Sequence, residues 1–196
     1  MRIERAVVVL PVLAGDAGLL DDCLEQLVAA ADEASAAGVP TALVPVLAPG
    51  SGAARLLASW EPLVALLDGV ELRPVRLGAA PGARDADAVL AAGAVAAAAR
   101  EARPSAVVVL VTAPHVAVGS RWITEHVHHH AGGAQATTGP VRGASGAHPA
   151  RLNLALRADL LRRCGSAALH GAGDRPVVHA LTPSVGLLTA GQPASS

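Results

Sequence analysis

Two β-branched runs constrain this chain more than any other feature. Ala6-Val7-Val8-Val9-Leu10 and Ala106-Val107-Val108-Val109-Leu110-Val111 are continuous apolar segments short enough to be strands and apolar on both sides. Such runs suit strands of a parallel sheet covered on both faces. Amphipathic stretches fall between them. Leu19, Leu20, Cys23, Leu24, Leu27 and Val28 recur at helical spacing after Asp16, which is placed to cap them, and Gly38 ends the run. Thr41 to Leu47 reads as a second strand, with Pro45 hinting at an edge or bulge. Residues 53–67 read as a helix containing Pro62, and Val70 to Leu77 as a third strand. Residues 85–102 form an Ala-rich helical pattern before the fourth strand at 106–111, and the first strand is expected to stop at Pro11. Ser120 is placed to cap a helix through Trp122, Ile123 and Val127, which Gly132-Gly133 ends. Residues 134–141 read as a fifth strand, 152–163 as a helix and 183–189 as a last short strand. Strands alternating with helices predict a single α/β domain over residues 1–191, with a frayed tail at 192–196. Ligands bind such sheets beyond the carboxyl ends of the strands, which singles out the loops after Leu10, Leu47, Leu77 and Val111.

Composition narrows the function. Of 196 residues, 52% are hydrophobic and 16% charged, with a formal net charge of -1, so a packed core is expected and a polyanionic partner is not. Every basic residue other than histidine is Arg, which removes Lys nucleophiles and Schiff bases. Trp60 and Trp122 are the only aromatic residues besides histidine, so nucleic-acid binding by base stacking is not expected. The Ala, Gly, Val, Leu and Arg bias is of the kind a GC-rich bacterial genome imposes. Cys23 and Cys164 lie far apart without zinc-ligand spacing and read as two buried free thiols. The opening apolar run is too short to span a bilayer and carries Glu4 and Arg5, so the expectation is a cytoplasmic protein. No Gly-x-Gly-x-x-Gly follows the first strand and no nucleophile-elbow motif is present, which lowers dinucleotide-binding and hydrolase readings.

In ordered pieces along almost its whole length, the chain resembles family-2 glycosyltransferases of the GT-A fold. Val7-Val8-Val9-Leu10-Pro11 with Leu19-Leu20-x-x-Cys23-Leu24-x-x-Leu27 resembles the family's first strand, Pro turn and first helix, and 87–99 its Gly- and Ala-bearing helix. Val118-Gly119-Ser120-Arg121-Trp122-Ile123, then Gly133-Ala134 to Gly139-Pro140-Val141, resembles its "Val-Pro-x-x-Trp-Leu, helix, Gly-Ala-x-x-x-x-Gly-x-Val" segment. Asn153-Leu154-Ala155-Leu156-Arg157 resembles "Asn-x-Ala-x-Arg", and 183–192 the closing strand. The resemblance implies a three-layer α/β sandwich around a mostly parallel sheet, a nucleotide-sugar donor and a divalent cation on an Asp-x-Asp motif. By family position the donor-binding residues are Pro11, Ala48, Ala113 and His115, and Asp174 falls near the general base for the acceptor hydroxyl.

The departures are chemical. The Asp-x-Asp positions hold Ala113 and His115, and the acidic turn after strand two is Ala48-Pro49-Gly50-Ser51-Gly52. Hard oxygen ligands suit Mg²⁺ or Mn²⁺, and neither position supplies one. A replacement metal site of His115 with His126 and His130 is one reading, since His126 and His130 share a helix face. A solvated His-rich helix end, favoured by the helix dipole, is the other. Arg84, Arg121 and Arg142 are candidates to replace the metal's charge. Two functions remain open: sugar transfer from a nucleotide-sugar, or a catalytically inactive GT-A-fold module that binds a ligand, a protein partner or a second copy of itself.

Overall fold

The computed structural model describes residues 2–78, 85–138, 141–142, 153–170, 178–180 and 187–189. It is an α/β sandwich. In chain order it contains β1 (Arg5–Val12), α1 (Ala17–Ala36), β2 (Thr41–Leu47), α2 (Ala54–Val64), β3 (Val70–Leu72), β4 (Val75–Arg76), α3 (Ala86–Arg100) and β5 (Val107–Val111). These are followed by β6 (Val116–Ala117), α4 (Trp122–Ala131), β7 (Ala136–Thr138), β8 (Val141–Arg142), β9 (Leu154–Arg157), α5 (Ala158–Cys164), α6 (Ala167–His170), β10 (Val178–Ala180) and β11 (Leu187–Thr189).

The main sheet has eight strands in the order β10-β7-β9-β5-β1-β2-β3, with β4 also on β2. All neighbours are parallel except β9, which runs antiparallel between β5 and β7. A second sheet, β6-β11-β8, is small. The pleat of β1 explains the layering. Ala6, Val8, Leu10 and Val12 face one core with Leu20, Leu24 and Leu27 of α1, Leu57 of α2 and Ile123 of α4. Val7 and Val9 face the other, with Val89, Leu90 and Ala94 of α3 and Leu161 of α5. Each of these large aliphatic side chains, fully buried, contributes about 1.5–3 kcal/mol of transfer free energy. The close approach of α3 depends on Gly93, where a Cβ would meet a side-chain methyl of Val46, with one of Val9 at 3.0 Å.

Several expectations need correction. The first strand does not stop at Pro11 but continues to Val12, because Pro11 lies beyond the last β5 partner pair, Val9 with Val111, and gives up no bond there. Pro45 sits in an interior strand. Its nitrogen faces the break at Arg73-Pro74 that divides the expected third strand into β3 and β4, between the bonds Arg73 N–H to the Leu43 carbonyl and Leu77 N–H to the Leu47 carbonyl. The expected helix at 152–163 is a strand to Arg157 and a helix only from Ala158. Ser120 does not cap α4, whose first cap residue is Arg121. Asp16 does not cap α1 through the helix's own N–H groups, and its carboxylate accepts from the Leu13 N–H instead. Cys23 is buried as expected, but Cys164 is exposed. Among the described residues no helix is long and apolar enough to cross a membrane.

Candidate functional site

The carboxyl ends of β1, β2, β4 and β5 meet along one edge of the sheet, and the backbone ties them together. The Ala48 N–H donates to the Val12 carbonyl at 3.0 Å, and the Thr112 N–H to the Val9 carbonyl at 3.3 Å. Pro11, Ala48 and Ala113 are therefore gathered at this edge and are all buried, whereas His115 is exposed in the turn that follows β5. The Ala113 carbonyl accepts from the Val116 N–H at 2.9 Å and lies 3.9 Å from the Cys23 thiol. Burial pushes that thiol up to about 12, so Cys23 remains protonated and packs as a small hydrophobe.

A divalent cation of the kind the GT-A resemblance implies does not fit these positions. Ala113 offers a methyl group and His115 a single exposed imidazole where two hard oxygen ligands are needed. Among the described residues no group of three or more His, Cys, Asp or Glu side chains could hold a metal ion.

What the edge does hold is a cavity of about 220 Å³ after β2. Its wall is the turn Ala48-Pro49-Gly50-Ser51-Gly52, with Leu47, Ala54, Arg76 and Leu77. Gly50 and Gly52 adopt φ of 80° and 70°, a region that glycine enters without strain. A second recess of about 130 Å³ adjoins it, sharing Leu47, Ala54 and Arg76 and lined further by Leu57, Leu72 and Glu61.

The histidines of α4 are placed differently from either sequence reading. Trp122, Ile123, His126, Val127 and His130 form the buried face of the helix, and His126 and His130 have no exposed surface. Asn153 is the hub below them. Its side-chain carbonyl accepts from the Trp122 indole N–H at 2.9 Å and lies 2.9 Å from His126 Nε2. Thr137 Oγ1 lies 2.7 Å from His126 Nδ1 and 3.1 Å from His130 Nε2. The tautomers follow from the partners. An indole only donates, so the Asn153 oxygen is the acceptor, and His126 then carries its proton on Nε2. His126 Nδ1 accepts from the Thr137 hydroxyl, whose oxygen accepts from His130 Nε2–H. His130 Nδ1 is buried without a hydrogen-bond partner among the described residues. Burial pushes His126 down to about 3, opposed by the Asn153 bond and aided by the charges of His130 and His129. Burial likewise lowers His130 to about 4, with the backbone of Ala134 and Ala155 opposing and Arg157 and His129 aiding. Both rings are neutral at pH 7 and serve as packed, hydrogen-bonded core.

The structure thus pairs His126 with His130 through Thr137 but does not bring His115 into a metal-holding group with them. Arg121 is exposed and lies 3.8 Å from Glu125. Asp174, Arg84, the Arg142 side chain and the tail at 192–196 lie outside what is described. Sequence reasoning missed Ser51, Arg76 and Thr137. The role of Asn153 as a buried hub is not legible from its place in the Asn-x-Ala-x-Arg segment.

No family model and no curated protein matches the sequence. Solved structures do. The mannosyltransferase PcManGT from Pyrobaculum calidifontis, in complex with GDP-Man and Mn2+, matches 99% of this chain with a TM-score of 0.62 at 16% identity. This chain spans 59% of that enzyme's length. The 4-diphosphocytidyl-2C-methyl-D-erythritol synthase from Anaerococcus prevotii matches 91% of this chain and 90% of its own length, with a TM-score of 0.52 at 7% identity. At such identities the likeness is one of fold, and the fold is the GT-A-like α/β sandwich of nucleotide-sugar transferases.

Proposed function

We propose that this chain is a family-2-like glycosyltransferase relative that binds a nucleotide-sugar at the carboxyl edge of its sheet as a binding module, without metal-dependent transfer. The observation that carries the reading is the cavity of about 220 Å³ beside the turn after β2. It lies at the strand end where ligands bind open α/β sheets. A fold match to a transferase in complex with GDP-Man supports the ligand class. The assignment of a binding role rests on Ala113 and His115. Stabilising the leaving diphosphate is commonly the largest catalytic contribution, and these side chains cannot hold the cation that would supply it.

The test is a thermal-unfolding screen with UDP-, GDP- and dTDP-sugars, each with Mn²⁺ or with a chelator, alongside an assay for released nucleoside diphosphate. A donor at about 100 times its dissociation constant stabilises the native state by roughly 2.7 kcal/mol. The expected result is a shift with one donor class, equal with and without Mn²⁺, and no released nucleoside diphosphate. Silence from every donor overturns nucleotide-sugar binding. A shift that requires Mn²⁺ overturns the metal-free reading, and turnover overturns the binding-module reading.

A further inference from the structure

The turn after β2 is built differently from the acidic turn that the GT-A resemblance implies, and the difference has a sign. We propose that Gly50-Ser51-Gly52, the N-terminus of α2 and Arg76 form a site for a phosphate monoester group. Four observations converge. First, α2 runs for 11 residues and no side chain caps its start at Ala53, so its leading N–H groups and the positive end of its dipole are left to a ligand. Ala54, in its first turn, lines the cavity. Second, Ser51 is only 7% exposed, its residue lines the same cavity, and its hydroxyl makes no hydrogen bond among the described residues. A hydroxyl that the fold leaves uncommitted keeps its donor and acceptor capacity for a ligand. Third, left-handed glycines flank Ser51 on both sides, so the turn, closed by the Ser51 N–H on the Ala48 carbonyl at 3.1 Å, lines the cavity without a Cβ at positions 50 and 52. Fourth, Arg76 lines the same cavity from the exposed end of β4 and makes no ion pair among the described residues. A guanidinium presents forked donors that match phosphate oxygens. Glu61 lines the adjoining recess, which Arg76 and Ala54 also line, two helical turns along α2 from Ala54.

A phosphate monoester on a nucleotide ribose is one source of such a group, since its anionic oxygens match a guanidinium and helix N–H donors. The phosphate could equally be carried by a sugar. The inference deepens the reading above because the cavity is the same, but it is read out separately, with probes that are not nucleotide-sugars.

The experiment titrates the full chain with inorganic phosphate, glucose 1-phosphate, adenosine 5′-monophosphate and adenosine 3′,5′-bisphosphate, followed by calorimetry. Arg76→Gln and Ser51→Ala are compared with Arg103→Gln, a control beside Glu4 at the opposite edge of the sheet. Arg76→Gln is expected to weaken the tightest of these probes by about 10- to 100-fold, and Ser51→Ala by roughly 3- to 10-fold, as charge-assisted and neutral hydrogen bonds are lost. The control is expected to bind as the parent does. A bisphosphate that binds more tightly than the monophosphate, with the margin lost in Arg76→Gln, assigns the phosphate to a nucleotide. Preference for glucose 1-phosphate assigns it to a sugar. Equal binding by parent and Arg76→Gln, or no binding of any probe at millimolar concentration, overturns the site. Phosphate binding with silent nucleotide-sugars would overturn only the earlier reading.

Discussion

Two polar regions of this molecule invite opposite conclusions from sequence and structure. The cluster beneath α4 has the residues of a reactive site, two histidines with an asparagine, a threonine and a tryptophan. Nearly every polar atom in it is satisfied internally, and His126, His130, Thr137 and Asn153 have no exposed surface. The turn after β2 has the residues of an ordinary loop. Yet, among the described residues, it leaves a serine hydroxyl without an internal partner, an uncapped helix start and an arginine outside any ion pair around an open cavity. A group that has spent its hydrogen bonds on its own fold has none left for a ligand, so satisfaction separates structure from site better than residue type does.

The largest expected effect concerns the closed cluster. His126 and His130 are held down to about 3 and about 4 when folded, against 6.5 as the ordinary value. The unfolded chain therefore takes up protons first as pH falls, and stability is lost from about 6.5 downward until the folded rings titrate. Between pH 7 and 5 the two rings together should cost about 4 kcal/mol. Urea denaturation across this range measures it. A flat profile would mean that the rings are not buried neutral, and the contrast between the regions would collapse.

Asn153→Ala should come next, at about 3 kcal/mol, because it leaves the Trp122 indole and the His126 Nε2–H without an acceptor. Thr137→Val removes the hydroxyl that joins the two rings and should cost roughly 2 kcal/mol while preserving shape. The midpoint of urea unfolding at pH 8, where both rings are neutral in either state, isolates these terms from titration. If both variants were neutral, the network would be loosely held and the histidines available for other chemistry.

This comparison also explains what the sequence made legible. The long apolar runs at 6–10 and 106–111 announced the sheet, because a strand buried on both faces has no other composition. The order of helices followed from periodicity in α1 and α3. The expected helix at 152–163 fails over residues 154–157 because Leu154 and Leu156 alternate as a strand while Leu160 and Leu161 extend the same leucines into helical spacing. Only the antiparallel slot between β5 and β7 decides between them, and that slot is made by residues far away in sequence. The burial of His126 and His130 was hidden for a similar reason, since their partners, Thr137 in β7 and Asn153 just before β9, follow the helix in sequence. At the carboxyl edge, the lack of an acid in the turn after β2 is legible in the sequence, but the approach of Arg76 is not, because β4 reaches the turn only through its pairing with β2.

The smallest expected effect is the most discriminating. Ser51→Ala removes a hydroxyl that has no internal partner, so its stability should stay within about 0.5 kcal/mol of the parent. A side chain this buried ordinarily costs more when truncated, and the near-zero value would follow because nothing in the fold depends on its oxygen. Thr137 offers the contrasting case, a fully buried hydroxyl with internal partners, whose removal should be felt at roughly 2 kcal/mol. Measured side by side, the pair asks whether a hydroxyl serves the fold or faces outward to a ligand. If Ser51→Ala were as costly as Thr137→Val, the turn after β2 would be a structural element like the cluster beneath α4, and its cavity would lose its claim to a ligand.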